Sequence, residues 1–147
     1  MEGTNKKTAF IGLGNRDRGD DAVGLRFVDD LRQLNPNFFF SEEDGLEKAV
    51  LEVIKRKDVH NVVFVDVCDM GSEPGKINLL QAEDVKESVT THKVPIAVLM
   101  ALLKKEGKNP LLLGIQPESL EFEGDISNTM KDSLKNIEDA VKKALKV

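Results

Sequence analysis

Apolar residues in this chain gather into short blocks, separated by charged stretches of helical period. Three blocks, TAFIGLG (8–14), VVFVDV (62–67) and PLLLGIQ (110–116), are apolar almost throughout. Their length and bounding turn residues predict strands buried on both faces, as in a parallel sheet. NFFFS (37–41) predicts a fourth strand and KINLLQ (76–81) a fifth, entered through a turn over 71–75 that contains Pro74. Between them run helical stripes. Val23, Phe27, Leu31 and Leu34 recur at helical spacing up to Asn35 and Pro36. Leu46, Ala49, Val50, Val53 and Ile54 form a second stripe. Ile96, Leu99, Met100 and Leu103 form a third, with Pro95 in its first turn and Gly107 just past its end. Ser127 is placed to N-cap a last helix carrying Met130, Leu134, Ile137, Val141 and Leu145.

The order is β-α-β-α-β-β-α-β-α. It predicts an α/β three-layer sandwich: a mostly parallel, twisted five-stranded sheet with one antiparallel strand and helices on both faces. In such sheets ligands bind in the crevice at the carboxyl ends of the parallel strands, so that edge is where chemistry is expected.

Composition narrows the classes. With 147 residues, 40% hydrophobic and 32% charged, the chain reads as one globular domain over 1–147, without repeats or linkers. A net charge of -5 argues against nucleic-acid binding, which draws its affinity from basic phosphate contacts. There is no Trp or Tyr to build a base-stacking platform. The start, MEGTNKK, lacks the apolar core of a signal peptide, and no apolar run reaches the length of a membrane span. A single cysteine, Cys68, excludes an internal disulfide framework and a cysteine-based zinc site. A cytoplasmic enzyme or binding protein is expected.

The candidate chemistry lies at the strand ends. GLGNRDRGDDAVG (12–24) follows the first strand like a phosphate cradle, but Asp17 stands where a dinucleotide fingerprint needs its third glycine. No Lys-Ser/Thr pair follows, so the P-loop reading fails as well. Asp20 and Asp21 suit the first turn of a helix, where acids meet the free N–H groups. Adjacent side chains on a helix diverge, so one of the pair can cap while the other faces the crevice. Asp66 closes an apolar strand; it is either solvated at the sheet's edge or a ligand or catalytic carboxylate. His92, in TTHKVP, precedes the third helix, whereas His60 falls at the opposite end of the Asp66 strand and carries no role. Asp21, Asp66 and His92 would together offer two carboxylates and an imidazole. That set suits a borderline divalent metal, and equally a pair of acids with split pKa values.

Four stretches resemble the maturation endopeptidases of nickel–iron hydrogenases, nearest to the type serving the formate-hydrogenlyase hydrogenase. They are GLGNRDRGDDAVG (12–24), VDVCDMGSEPGKINLL (65–80), TTHKVP (90–95) and LLGIQPESLEF (112–122), in the family's order and over most of the chain. The resemblance implies removal of a C-terminal peptide from a hydrogenase large-subunit precursor after nickel insertion. It also implies that Asp21, Asp66 and His92 bind the metal, with nickel carried by the substrate as the recognition signal, which leaves Asp20 as the helix cap. Catalytic roles fall to Asp21 or Asp66 as base, with metal polarisation of the scissile carbonyl or activation of a water both open. A nucleophilic serine or cysteine is not expected, since no G-x-S-x-G elbow exists and Cys68 is the only thiol. Gln116 is a candidate hydrogen-bonding residue behind the metal ligands. Many family members carry a DGG-type turn after the second strand; SEEDGLEKAV (41–50) departs from it, which bears on precursor fit. A non-enzymatic nickel-binding maturation chaperone using the same three residues is the alternative.

Overall fold

The computed structural model describes residues 7–85, 96–118 and 125–145. Five strands, β1 (Lys7–Gly12), β2 (Phe39–Ser41), β3 (Val59–Val67), β4 (Ile77–Gln81) and β5 (Asn109–Ile115), form one sheet in the order β2-β1-β3-β5-β4. Four helices accompany them: α1 (Val23–Arg32), α2 (Leu46–Lys55), α3 (Ile96–Lys105) and α4 (Asn128–Leu145). All pairings are parallel except β4 with β5. The predicted architecture, element order and single antiparallel strand are all present.

Each sheet face has its own core. On one, α2 and α3 bring Val50, Val53, Met100 and Leu103 onto Ala9, Ile11, Phe64 and Leu112. On the other, α1 and α4 bring Val23, Phe27, Met130 and Leu134 onto Phe10, Phe39, Val65 and Ile115. The alternation of β1 explains the split: Ala9 and Ile11 face one way, Phe10 the other. Phe10, Phe27 and Phe39 interlock, with ring centroids 5.3 to 6.0 Å apart. Each such fully buried side chain contributes about 1.5–3 kcal/mol.

Boundaries move slightly from the sequence reading. α1 stops at Arg32, so Leu34, read as part of its stripe, lies beyond the helix and is exposed. His60 falls inside β3 rather than before it, though still at the end opposite Asp66. Gly107 ends α3 at φ +84°, as expected of a residue just past a helix end. Pro95 lies outside the described residues. The outer edge of the short β2 is covered by arginines: Arg32 Nε donates to the Phe39 carbonyl at 3.3 Å, and Arg56 to the Asn37 carbonyl.

The strand order reverses between β1 and β3, because α1 and α2 leave β1's neighbourhood on opposite faces. The crevice of an open α/β sheet forms at the carboxyl ends of those two strands. Two of the three expected site residues arrive there.

α4 meets α1 through a carboxyl pair. Burial, together with a hydrogen bond to Asp30 and its charge, pushes Glu138 up to about 8, against smaller opposing contributions from Lys142 and Arg26. A carboxyl whose folded pKa is raised stabilises below its unfolded value near 4.5, and that contribution is lost as pH rises through about 8. Chemical denaturation across this window is expected to show stability falling with pH, and Glu138→Gln is expected to flatten the dependence.

Candidate active site at the carboxyl edge of the sheet

The turn after β1 is held by close backbone approach. The Leu13 N–H donates to the Val65 carbonyl at 2.9 Å, so the chain leaves the sheet beside the end of β3. α1 then packs its first turn directly on that point: a Cβ on Gly24 would lie 2.2 Å from the Val65 oxygen and 2.4 Å from the Leu13 oxygen. Only glycine fits there. Gly14 takes φ +143°, and a Cβ on it would stand 2.0 Å from the Asp21 carbonyl oxygen. These two glycines bring the 3-10 turn Gly19–Ala22, with its two acids, against the end of β3.

Five N–H groups of the turn are already engaged. Gly14 N–H donates to Glu42 Oε1 at 2.9 Å, Asn15 N–H to the Asp21 carbonyl at 3.0 Å, and Asp17 N–H to Asn15 Oδ1 at 2.9 Å. Arg18 N–H donates to the Asn15 carbonyl and Asp21 N–H to the Arg18 carbonyl. A phosphate cradle presents such groups to its ligand. Here four of them close the turn on itself and that of Gly14 goes to Glu42, which agrees with rejecting the nucleotide reading.

Asp66 is the penultimate residue of β3, level with Gly114 of β5, and is 0% exposed. The neighbouring Val67 N–H donates to its Oδ1 at 2.8 Å. Asp21, in the turn above, is 3% exposed. The sheet thus places two buried carboxylate residues at one crevice edge. His92 lies outside the described residues, and among the described residues no group of three His, Cys, Asp or Glu is arranged to hold a metal. The fold therefore brings Asp21 and Asp66 to one crevice edge, and His92 stands as a candidate from the sequence alone.

Asp20 departs from its expected role. It does not cap its own helix; its carboxylate accepts from Ser127 N–H at 2.7 Å, Glu118 N–H at 2.8 Å and Ser127 Oγ at 3.1 Å. The reason is geometric: the acids sit inside the 3-10 turn, not before it, with Arg18 at the N-cap position. Ser127 does cap α4, accepting from Met130 N–H at 3.4 Å. Sequence reading missed the Asp20 link, because its partners stand 98 and 107 residues away.

Gln116, 7% exposed, organises the loop leaving β3. Its Oε1 accepts from Met70 N–H at 2.7 Å, and from Ser72 N–H and Ser72 Oγ at 3.3 Å. Its Nε2 donates to Asp69 Oδ1 at 3.1 Å. That bond, with the Gly71 N–H, holds the Asp69 carboxyl below its usual range. The loop at 41–45 is tied to the glycine turn through Glu42 and through Arg16, which pairs with Glu43 at 2.7 Å and Asp29 at 2.9 Å. Hydrogen bonds to Glu43 and then Asp29 push the Arg16 guanidinium further up. The stretch 41–50 is thus fastened at its start to the glycine turn.

Cys68 follows Asp66 by two residues but is buried, with burial first and the Asp66 and Asp69 charges next pushing its thiol up to about 12. A thiol held protonated is a poor nucleophile.

Residues 46–147 match the family model HycI, hydrogenase maturation protease. The chain belongs to that family and is a peptidase. The match includes Asp66, His92 and Gln116, while Asp21 and the glycine turn precede it. Hydrogenase 3 maturation protease of Escherichia coli K12 is 26% identical over 129 residues, 85% of this chain and 82% of that protein. A putative hydrogenase maturation protease of Methanocaldococcus jannaschii is 28% identical over 146 residues, 95% of this chain and 90% of that protein. Among solved structures, the [NiFe] hydrogenase maturation protease HycI from Thermococcus kodakarensis superposes with TM-score 0.79 at 24% identity, covering 97% and 94% of the two chains. At that identity the superposition bears on the fold, which it shares. The chaperone alternative gives way to the family assignment. No helix among the described residues is long and apolar enough to cross a membrane.

Gly24→Ala is expected to cost at least about 1–3 kcal/mol, since α1 must lift from the sheet; urea denaturation measures it. Cys68 is expected to resist alkylation at pH 8 in the folded protein and to react once the chain is unfolded. Cys68→Ala is expected to retain peptidase activity.

Proposed function

We propose that this peptidase removes a C-terminal peptide from a nickel–iron hydrogenase large-subunit precursor after nickel insertion. Asp21, Asp66 and His92 read the nickel that the substrate carries. The observation that supports this most is the burial of Asp21 and Asp66 at one crevice edge in a chain of this family. Buried carboxylates attract a divalent cation more strongly than exposed ones, because the low dielectric sharpens the interaction. An imidazole added to two carboxylates favours a borderline metal such as nickel over calcium or magnesium. Discrimination between loaded and empty precursor then comes from bonds that only the loaded form can make. Bond cleavage requires a water and a base, and Asp21 and Asp66 are the carboxylates placed at the crevice; the protonated Cys68 thiol is not suited to attack. A cytoplasmic setting fits this reading.

The test is the mass of nickel-loaded large-subunit precursor after incubation with the protein. Loss of a C-terminal peptide is expected with loaded precursor and not with the nickel-free form. Asp66→Asn and His92→Ala are each expected to slow processing by about a hundredfold or more. Wild-type rates in both variants would refute the metal-reading site. Full processing of nickel-free precursor would refute nickel recognition.

A further inference from the structure

We propose that Asp20 is a positioning residue of this peptidase, one that fixes the orientation of the turn carrying Asp21. The inference rests on the reading of Asp21 as a site residue. Asp20 is 2% exposed and accepts three hydrogen bonds, from Glu118 N–H, Ser127 N–H and Ser127 Oγ, at 2.7 to 3.1 Å. Bonds to a charged acceptor are the short, strong kind, and three of them leave the side chain little freedom. Their donors flank two regular elements. Glu118 follows the exit of β5, and Ser127 is the residue whose hydroxyl caps α4. The two are themselves linked, because Thr129 Oγ1 of α4 donates to Glu118 Oε1 at 2.8 Å.

Asp20 and Asp21 are consecutive in the 3-10 turn Gly19–Ala22. With three residues per turn, successive side chains leave such a helix about 120° apart. Fastening Asp20 to β5 and α4 therefore sets the rotation of the turn, and with it the direction of the Asp21 Cα–Cβ bond. The backbone of Asp21 is held as well, its carbonyl by Asn15 N–H and its N–H by the Arg18 carbonyl. Asp20 acts through Asp21, and its own carboxylate is engaged by donors of the fold.

The experiment measures kcat and KM for processing of nickel-loaded precursor by Asp20→Asn, Asp21→Asn and Ser133→Ala. Ser133 Oγ ties α4 to the Gly75 carbonyl at 2.6 Å without touching the glycine turn. Asp20→Asn is expected to lower kcat about 10- to 100-fold, the scale of a small misplacement of a reacting group, with KM moving less than about threefold. Ser133→Ala is expected to keep the wild-type kcat. Wild-type kcat in a folded Asp20→Asn would overturn the proposal. So would an equal fall in Ser133→Ala, which would trace the loss to a loosened α4. Wild-type processing by Asp21→Asn would instead overturn the site reading beneath it; an inactive Asp21→Asn beside a fully active Asp20→Asn would overturn only the positioning role. If Asp20→Asn fails to fold, Asp20→Glu keeps the charge while displacing the carboxylate from its three donors, and an unchanged kcat there would overturn the proposal.

Discussion

The approach of α1 to the ends of β1 and β3 is the constraint from which the site follows. Gly24 lets the helix backbone come within a missing Cβ of the Val65 and Leu13 carbonyl oxygens. A side chain there would hold α1 away from the sheet, and the turn of acids that precedes it would move too. Glycine-rich turns in α/β proteins commonly serve close approach to a phosphate. In this chain the same device serves close approach of protein to protein. The turn's N–H groups are spent on Glu42, Asn15, Arg18 and Asp21, and what the turn delivers is carboxylate.

Much of the architecture was legible in the sequence because its physical causes are local. Blocks such as 62–67 are apolar on both faces, so they read as central parallel strands, and β3 is central. KINLLQ was readable as a strand from the turn before it but not in its facing, since Ile77 and Leu79 of the edge strand β4 are exposed and Leu80 packs on the core. Leu34 misled because its spacing keeps the 3.6-residue period although α1 stops at Arg32, ahead of Asn35 and Pro36. The site was legible in its acids at strand ends and not in its wiring. Asp20 looked like a cap because capping is a local event, whereas its partners come from the far end of the chain. Glu42 gave no sign of its bond to Gly14, 28 residues away, since a glutamate after a strand ordinarily reads as solvated.

Those long-range bonds divide the crevice's surroundings into two supports. Asp20 binds the glycine turn to the exit of β5 and the cap of α4. Gln116 binds that same β5 exit to the loop leaving β3, and its backbone joins Gly75 and Lys76. Asp66 stands on the strand between the segments so fastened. Burying carboxylates costs free energy, and sites that must hold them rely on surrounding bonds to prevent relaxation into water. The charged and amide hydrogen bonds around Asp20 and Gln116 supply that restraint.

Cys68 shares the electrostatic setting of the acids at this edge. After burial, the charges of Asp66 and Asp69 are what hold its thiol protonated. A negative field that disfavours a thiolate favours a cation by the same sign and the same low dielectric. A cysteine nucleophile and a cation-reading pair of acids would therefore work against each other at this edge. Burial of the thiol beside Gly114, where a Cβ would lie 2.8 Å from that of Cys68, commits the edge to the acids. On the proposed reading, a peptidase built this way depends on its carboxylates and on the nickel that its substrate carries.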